Sequence, residues 1–405
     1  MDAARKVLAE LDPELEWIHE TYRDLHRHPE LSLEETRTSA LVVRKLEEFG
    51  YRVHRVGGTG VVGVLDNGPG RTVLARAEMD ALPVREATGL DYASENDGVM
   101  HACGHDVHVA ALLGAAKLLA DHREQWAGTY LALFQPAEET AQGSAAMLAD
   151  GLADKIPAPD VAFAQHVMAQ PAGTLQTIAG PVLSAGDSIR ITVHGQGAHG
   201  SMPQLSVDPV VLAAAIVLRL QSVVSREVQP GEFAVLTIGS VQVGTKSNII
   251  ADKATLLLNL RSYDNAVRET LIAAVERIVR GECAAAGSPV EPEFEYYDQF
   301  PLTANDEAVT ARVSAAFEAY FGHVGNASRQ SASEDFSRIP DAFGVPYSYW
   351  LLGGMDPQAY AEGKAAANHS PHFAPLIEPT LARGVEAMVI AALGELASDP
   401  RAGGA

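Results

Sequence analysis

Cysteine is nearly absent. Cys103 and Cys283 are the only two in 405 residues, which argues against a disulfide framework and fits a reducing compartment. Positive charge is scarce as well: 30 Lys and Arg face 52 Asp and Glu, a formal net charge of −22. Nucleic acid and anionic membrane surfaces select basic patches, so neither is expected as a partner. No apolar stretch is expected to span a bilayer. Residues 1–17 carry charge and lack the apolar core of a signal peptide. Together these absences point to the cytoplasm. There is no internal repeat, and low complexity is confined to the Ala/Gly tail. What is present is 47% hydrophobic content, enough for a sizeable core in two or three domains.

Residues 15–26 and 39–49 show helical apolar spacing, and Gly50 stops the second helix. Residues 61–65, 72–77, 129–134 and 161–165 read as short buried strands, with helices at 109–120 and 145–152 between them. Strands alternating with helices indicate an α/β sheet covered on both faces. The pattern changes near Gly180. Residues 188–194 alternate as a half-exposed strand does, 207–224 is a long amphipathic helix, 233–243 and 253–261 are strands, 266–286 a helix and 290–296 a strand. That β-α-β-β-α-β order predicts a ferredoxin-like insert. Further helices follow from residue 307 and close with 378–396.

The chemistry concentrates in residues 100–108, Met-His-Ala-Cys-Gly-His-Asp-Val-His. Cys103 and His105 are one residue apart, a spacing that lets one tight turn offer thiolate and imidazole to one ion, the donors Zn²⁺ prefers. Gly104 permits the bend. A helix N-terminus directly after the turn would favour the thiolate. Other apolar runs end in polar groups: Glu78 and Asp80 after the second strand, Glu138 and Glu139 after 129–134, His166 after 161–165, and His369 before the turn at Pro371. Polar groups at the ends of several buried strands mark the ligand edge of an open α/β sheet. Histidines 54, 122, 194 and 323 match no motif and read as surface or core residues.

With these blocks in place, the chain resembles the dinuclear-metal amidohydrolases that include hippurate hydrolases, N-acyl-amino-acid aminoacylases and indole-acetyl-amino-acid hydrolases, within the wider clan of zinc aminoacylases and carboxypeptidases. The resemblance runs from His26-Arg27-His28-Pro29-Glu30 through Met79-Asp80-Ala81, residues 100–108, Pro136-Ala137-Glu138-Glu139, Gly197-Ala198-His199, Asn248-Ile249-Ile250 and Glu334-Asp335-Phe336 to Asn368-His369-Ser370-Pro371. It implies a zinc-aminopeptidase-like catalytic domain in two pieces, 1–183 and 298–405, around a ferredoxin-like lid and dimerisation domain, 184–297. It implies Cys103, His105, Glu139, His166 and His369 as ligands of two divalent ions, Zn with Mn, Co or Ni as alternatives. Glu138 matches the general base, although the sequence leaves a swap with Glu139 open. Asp80 matches an acidic residue that orients a ligand, His199 a histidine that polarises the scissile carbonyl, and Asn248 and Arg261 substrate contacts. Arg261 reads almost equally as a structural ion pair. Asp106 and His108 are expected to support the ligands. One departure stands out: Glu78 occupies a position where the family usually has Asp.

The resemblance implies hydrolysis of N-acyl amino acids to a carboxylic acid and a free amino acid by a homodimer or higher homo-oligomer joined through the lid. A metallo-dipeptidase or carboxypeptidase is the alternative. A non-catalytic binding homologue is a further one, and it predicts loss of ligands or base, whereas every matched position is filled. Met168, Leu205, Tyr349 and Leu352 are expected in lid or loop segments of the pocket wall.

Overall fold

A computed structural model of the chain describes residues 1–396; the Ala/Gly tail lies outside them. The chain divides into two compact units. One comprises Met1–Val182, Ala304–Arg329 and the residues from Asp335 onward; the other comprises Leu183–Thr303 with Gln330–Glu334.

The first unit is built on an eight-stranded mixed sheet. Its order is Arg52–Arg55, Val61–Asn67, Gly128–Gln135, Thr72–Glu78, Val161–Pro171, Tyr347–Met355, Leu175–Thr177 and Gly325–Asn326. The central strands pair in parallel, antiparallel pairs flank them on both sides, and the last strand, Gly325–Asn326, pairs in parallel with Leu175–Thr177. Thr72–Glu78 and Tyr347–Met355 are buried almost throughout, as strands covered on both faces must be. The helix His105–Asp121 is nearly as apolar all round and is buried along most of its length. It packs against Leu15–Arg27 and Ile377–Glu395. The expected α/β class with a mixed sheet holds.

Two strand readings change. Tyr347–Met355 pairs in parallel with Val161–Pro171, so Tyr349 and Leu352 are core residues and not loop residues of a pocket wall. The same pairing carries the earlier strand beyond residue 165, with His166 opposite Leu351. His166 therefore sits inside a strand and not at its end.

The second unit is a four-stranded antiparallel sheet in the order Ala234–Val243, Lys253–Ser262, Ala185–His194, Glu293–Phe300. The helices Pro209–Leu220 and Asn265–Ala286 cover it. Burial alternates strictly along Lys253–Ser262, so only one face meets the helices. Ile189, Ile191, Ile216, Leu258, Val275 and Val279 form its core.

The stretch Pro209–Arg226 corrects the expectation that no segment could cross a membrane, because by length and composition it passes that test. Its inner face, Leu212, Ala213, Ile216 and Leu220, is occupied in the core of this unit. Its outer face leaves Val211 66% and Leu218 75% exposed.

Candidate metal centre

The turn of residues 100–104 sets the first two donors. Gly104 has φ +83° and caps the helix His105–Asp121. A Cβ there would lie 2.2 Å from Val167 Cγ1, so only glycine fits both the left-handed backbone and the approach of the neighbouring strand. His369, at φ +67°, is held against this turn by its N–H, which donates to the Ala102 carbonyl at 2.7 Å. Asn368 Nδ2 donates to the Val167 carbonyl at 3.0 Å.

These contacts bring Cys103, His105, Glu138, Glu139, His166 and His369 into one cluster. Cys103 Sγ lies 3.5 Å from His166 Nε2 and 3.2 Å from His369 Nε2. His369 Nε2 is 3.5 Å from Glu139 Oε1. His105 Nε2 is 3.9 Å from Glu139 Oε1 and 4.0 Å from Glu138 Oε2. Donors about 2.0–2.3 Å from one tetrahedral ion stand roughly 3.3–3.8 Å from each other. Three overlapping groups bring their donor atoms within 4.8 Å of one another, close to that spacing: Cys103, His105 and His166; Cys103, Glu139 and His369; His105, Glu138 and Glu139.

The outer ring nitrogens fix the tautomers. His105 Nδ1 donates to the Asp80 carbonyl at 2.8 Å, with Asp80 Oδ1 at 3.2 Å. His166 Nδ1 donates to the Val167 carbonyl at 2.8 Å. Both rings therefore turn an Nε2 lone pair into the cluster, the arrangement that ligand histidines require. His105 Nε2 is buried and has no hydrogen-bond partner among the described residues. His108 differs. Its Nδ1 donates to Glu78 Oε2 at 2.8 Å and its Nε2 accepts from Val167 N at 2.8 Å. Both nitrogens are used, so His108 supports the cluster without joining it.

The electrostatics are those of a cation site. Burial resists charge on His105, yet the Asp80 hydrogen bond and the Glu78, Asp80 and Glu139 carboxylates raise it to about 10. Burial, then Glu139, Glu138 and Glu78, pushes the Cys103 thiol well above its ordinary range. The helix N-terminus that favours a thiolate is opposed here by burial first and the carboxylates second, and a cation among them would lower the thiol. Burial, reinforced by the His108 imidazole, holds His166 well below its usual value, which keeps it neutral as a ligand must be.

Asp80 links several of these groups. Besides its bond to His105, its Oδ2 accepts from Glu139 N at 3.0 Å and from Ser32 Oγ at 2.7 Å. Glu78, the departure from the family pattern, reaches both His108 and the Arg76 guanidinium. Arg76 Nε also donates to Gln135 at 3.0 Å, and Asp335 accepts from Ser144 Oγ at 2.7 Å and Gln135 Nε2 at 2.5 Å. Asp335, from the Glu334-Asp335-Phe336 block, is thus a buried anchor of the strand ends.

The second unit holds the remaining residues. His199 lies opposite Ile249 in a short bridge beside Asn248, whose carbonyl accepts from Gly200 N at 2.9 Å. Ser201 N donates to His199 Nδ1 at 3.2 Å, with Ser201 Oγ 2.7 Å from the same nitrogen, contacts that suit a ring with its proton on Nε2. Arg261 is not beside them. It pairs opposite Gly186, while His194, eight positions along the strand, pairs with Lys253 at the end nearer His199. Eight residues at ~3.3 Å each separate them by about 25 Å. Arg261 Nη1 donates to Ser333 Oγ at 2.7 Å and the Ser331 carbonyl at 3.1 Å. Among the described residues it has no carboxylate partner, contrary to the ion-pair alternative.

Sequence reasoning missed His26. It is buried, with Nδ1 2.6 Å from Asp106 Oδ2 and Nε2 3.3 Å from Glu86 Oε1. Only the spacing of the His26-Arg27-His28 block hinted at it.

The family model described as Peptidase family M20/M25/M40 matches residues 74–393. Thermostable carboxypeptidase 2 of Saccharolobus solfataricus is 35% identical over 379 residues, covering 92% of this chain and 94% of its own length. Hippurate hydrolase of Campylobacter jejuni is 39% identical over 320 residues, 77% of this chain and 82% of its own. Among solved structures, the Bacillus subtilis YXEP protein, described as a dinuclear metal binding peptidase from the M20 family, superposes with a TM-score of 0.77 at 29% identity, covering 94% of this chain and 97% of its own.

One pH dependence follows from His26. Burial opposes its charge, but Asp106 and Glu86 raise it to about 9. A raised value means that its stabilisation is complete below the unfolded value of about 6.5 and is lost as pH rises toward 9. The unfolding midpoint of His26→Gln is expected to lie below wild type at pH 6 and to converge with it above pH 9. A difference that stays constant with pH would contradict the charged pair.

Proposed function

The chain belongs to peptidase family M20/M25/M40 and is a metal-dependent hydrolase, and from that premise we propose that it cleaves N-acyl amino acids at a centre holding two divalent ions. Cys103, His105, Glu139, His166 and His369 would hold the ions, with zinc suited to the thiolate and imidazole donors and Mn, Co or Ni as alternatives. The observation that carries this reading is the inward aim of His105 Nε2, buried, without a hydrogen-bond partner among the described residues, and flanked by Glu138 and Glu139. When bound, such a pair of ions polarises an amide carbonyl and acidifies a water.

The protein's own groups do the rest. Glu138 takes a proton from the attacking water and delivers it to the leaving nitrogen as the C–N bond breaks. The products are a carboxylic acid and a free amino acid. Asp80 keeps His105 in the tautomer that faces the cluster. The proton on His199 Nε2 suits a donor to the developing oxyanion. Asn248 and Arg261 bind the substrate, the guanidinium capturing its α-carboxylate. The ferredoxin-like unit acts as a lid, and the reaction takes place in the cytoplasm.

The second reading, a carboxypeptidase, has its own support in the carboxypeptidase relatives at 35% identity. The two chemistries are close, because an N-acyl amino acid presents the same amide and free α-carboxylate as a peptide C-terminus. A panel of N-acetyl, benzoyl, long-chain acyl and indole-acetyl amino acids beside dipeptides separates them. The acyl amino acids are expected to turn over faster, and Glu138→Gln to lose about 10²–10⁴-fold in kcat. Faster turnover of dipeptides would move the assignment to peptidase. Full activity in the Glu138 variant would remove its role as base.

We also propose a homodimer joined through the lid. About 25 Å between Arg261 and the His199 end of the sheet is too far for one small substrate to bridge, so two copies would supply them. The exposed Val211 and Leu218, seven residues apart on one helix face, offer an apolar seam. Wild type is expected at twice the chain mass by light scattering, with Leu218→Lys shifted to monomer and impaired in kcat/KM. A monomeric, active wild type would refute the dimer.

A further inference from the structure

The Glu138–Glu139 turn is unusual backbone. Ala137 has φ +47° and Ala141 φ +55°, left-handed values that side-chain-bearing residues adopt only when their surroundings impose them. Part of the imposition is local. Ala141 N donates to the Glu138 carbonyl at 2.8 Å, and Gly143 N to the Ala137 carbonyl at 3.1 Å. A Cβ on Gly143 would lie 1.5 Å from the Pro136 carbonyl oxygen, so no other residue fits.

The remaining constraint comes from 102 residues away. Glu35 is fully buried. Its Oε1 accepts from Ala137 N at 2.8 Å and from Leu33 N at 2.9 Å, and its Oε2 accepts from Thr59 Oγ1 at 2.6 Å. Leu33 is itself left-handed, at φ +68°. One oxygen thus fixes two strained residues on two separate loops. The same N-terminal loop meets the other side of the site: Ser32 Oγ donates to Asp80 Oδ2, which also accepts from Glu139 N. Ala81 N donates to the Glu30 carbonyl at 2.8 Å. A buried carboxylate carries a large desolvation cost unless its oxygens are satisfied, and here the donors are backbone groups whose positions set the reactive turn.

We propose that Glu35 is a positioning residue for the reaction: its carboxylate, acting as a fixed double acceptor, holds Ala137 left-handed and so sets where the Glu138 and Glu139 side chains stand. This rests on the reading of Glu138 as base and Glu139 as ligand. What matters is the acceptor geometry and not the charge. A glutamine can keep Oε1 on both N–H groups while its amide N–H₂ donates to Thr59. Aspartate is one methylene short of Ala137.

The test compares Glu35→Gln, Glu35→Asp and Glu35→Ala with wild type. Two readouts are taken: kcat and KM on the best N-acyl amino acid, and zinc affinity by competition with a chelating dye. Glu35→Gln is expected to stay near wild type in both. Glu35→Asp and Glu35→Ala are expected to lose about tenfold or more in kcat with KM little changed, since misplacing a reactive group by about 1 Å costs up to about 10²-fold. Their zinc affinity is expected to fall about 10–100-fold, as when a ligand's support is removed. If Glu35→Ala fails to fold, the Gln and Asp variants decide. Unchanged kcat and zinc affinity in Glu35→Asp would overturn the proposal, as would a glutamine variant as damaged as the aspartate one. If wild type hydrolyses no acyl amino acid, the functional reading fails, and the zinc comparison alone decides the role of Glu35.

Discussion

The constraint on which this structure depends is the crowding of acidic donors in one buried place. Glu78, Asp80, Glu138 and the Cys103 thiol are buried beside the imidazoles of His105 and His166, with Glu139 partly buried and His369 at the solvent-facing rim. Arg76 offsets part of that charge through Glu78. Against the opposing effect of burial the rest raises His105 to about 10, and burial together with those carboxylates drives the thiol upward. A site that pulls protons onto its own ligands is one that divalent cations relieve, and their binding energy becomes folding energy.

The fold makes this arrangement possible by division of labour. The parallel strands bring Glu78 and Gln135 side by side, and the chain beyond each delivers Asp80 and the Glu138–Glu139 pair. The helix His105–Asp121 begins where those strands end. Left-handed residues then tie the loops down: Gly104 at the first ligand turn, Ala137 before the carboxylates, His369 at the last imidazole. Ala137 and His369 are each pinned by a backbone N–H bond and Gly104 by the close approach of Val167, so strain is concentrated where donor positions matter most. The insert is an ordinary two-layer unit by contrast, and its distinctive residues lie at the edges: the His199–Asn248 bridge, Arg261, and the bare outer face of its first helix.

Much of this was legible in the chain. The alternation in residues 253–261 announces a one-sided strand because its outer face meets solvent, and Lys253–Ser262 behaves so. The Cys103-Gly104-His105 turn and the Glu138-Glu139 pair stood out because metal-binding chemistry restricts residue type and spacing, and the fold brings their side chains together. Tyr347–Met355 was not. Buried on both faces, it has no alternation, and Ser348, Gly353 and Gly354 break its apolar run. Once that strand is missing, the extent of Val161–Pro171 and the burial of Tyr349 and Leu352 are lost with it. Glu35 was illegible for another reason. Its partners are backbone N–H groups, and a left-handed alanine looks like any other alanine in sequence.

The central claim is that the cluster is a two-ion site to which the fold is coupled. The direct measurement is metal content per chain after exhaustive desalting, taken together with the unfolding midpoint before and after chelation. The account predicts about two divalent ions per chain and a midpoint that falls on stripping and recovers on adding zinc. Retention of no metal, with a midpoint indifferent to chelator and zinc alike, would contradict it.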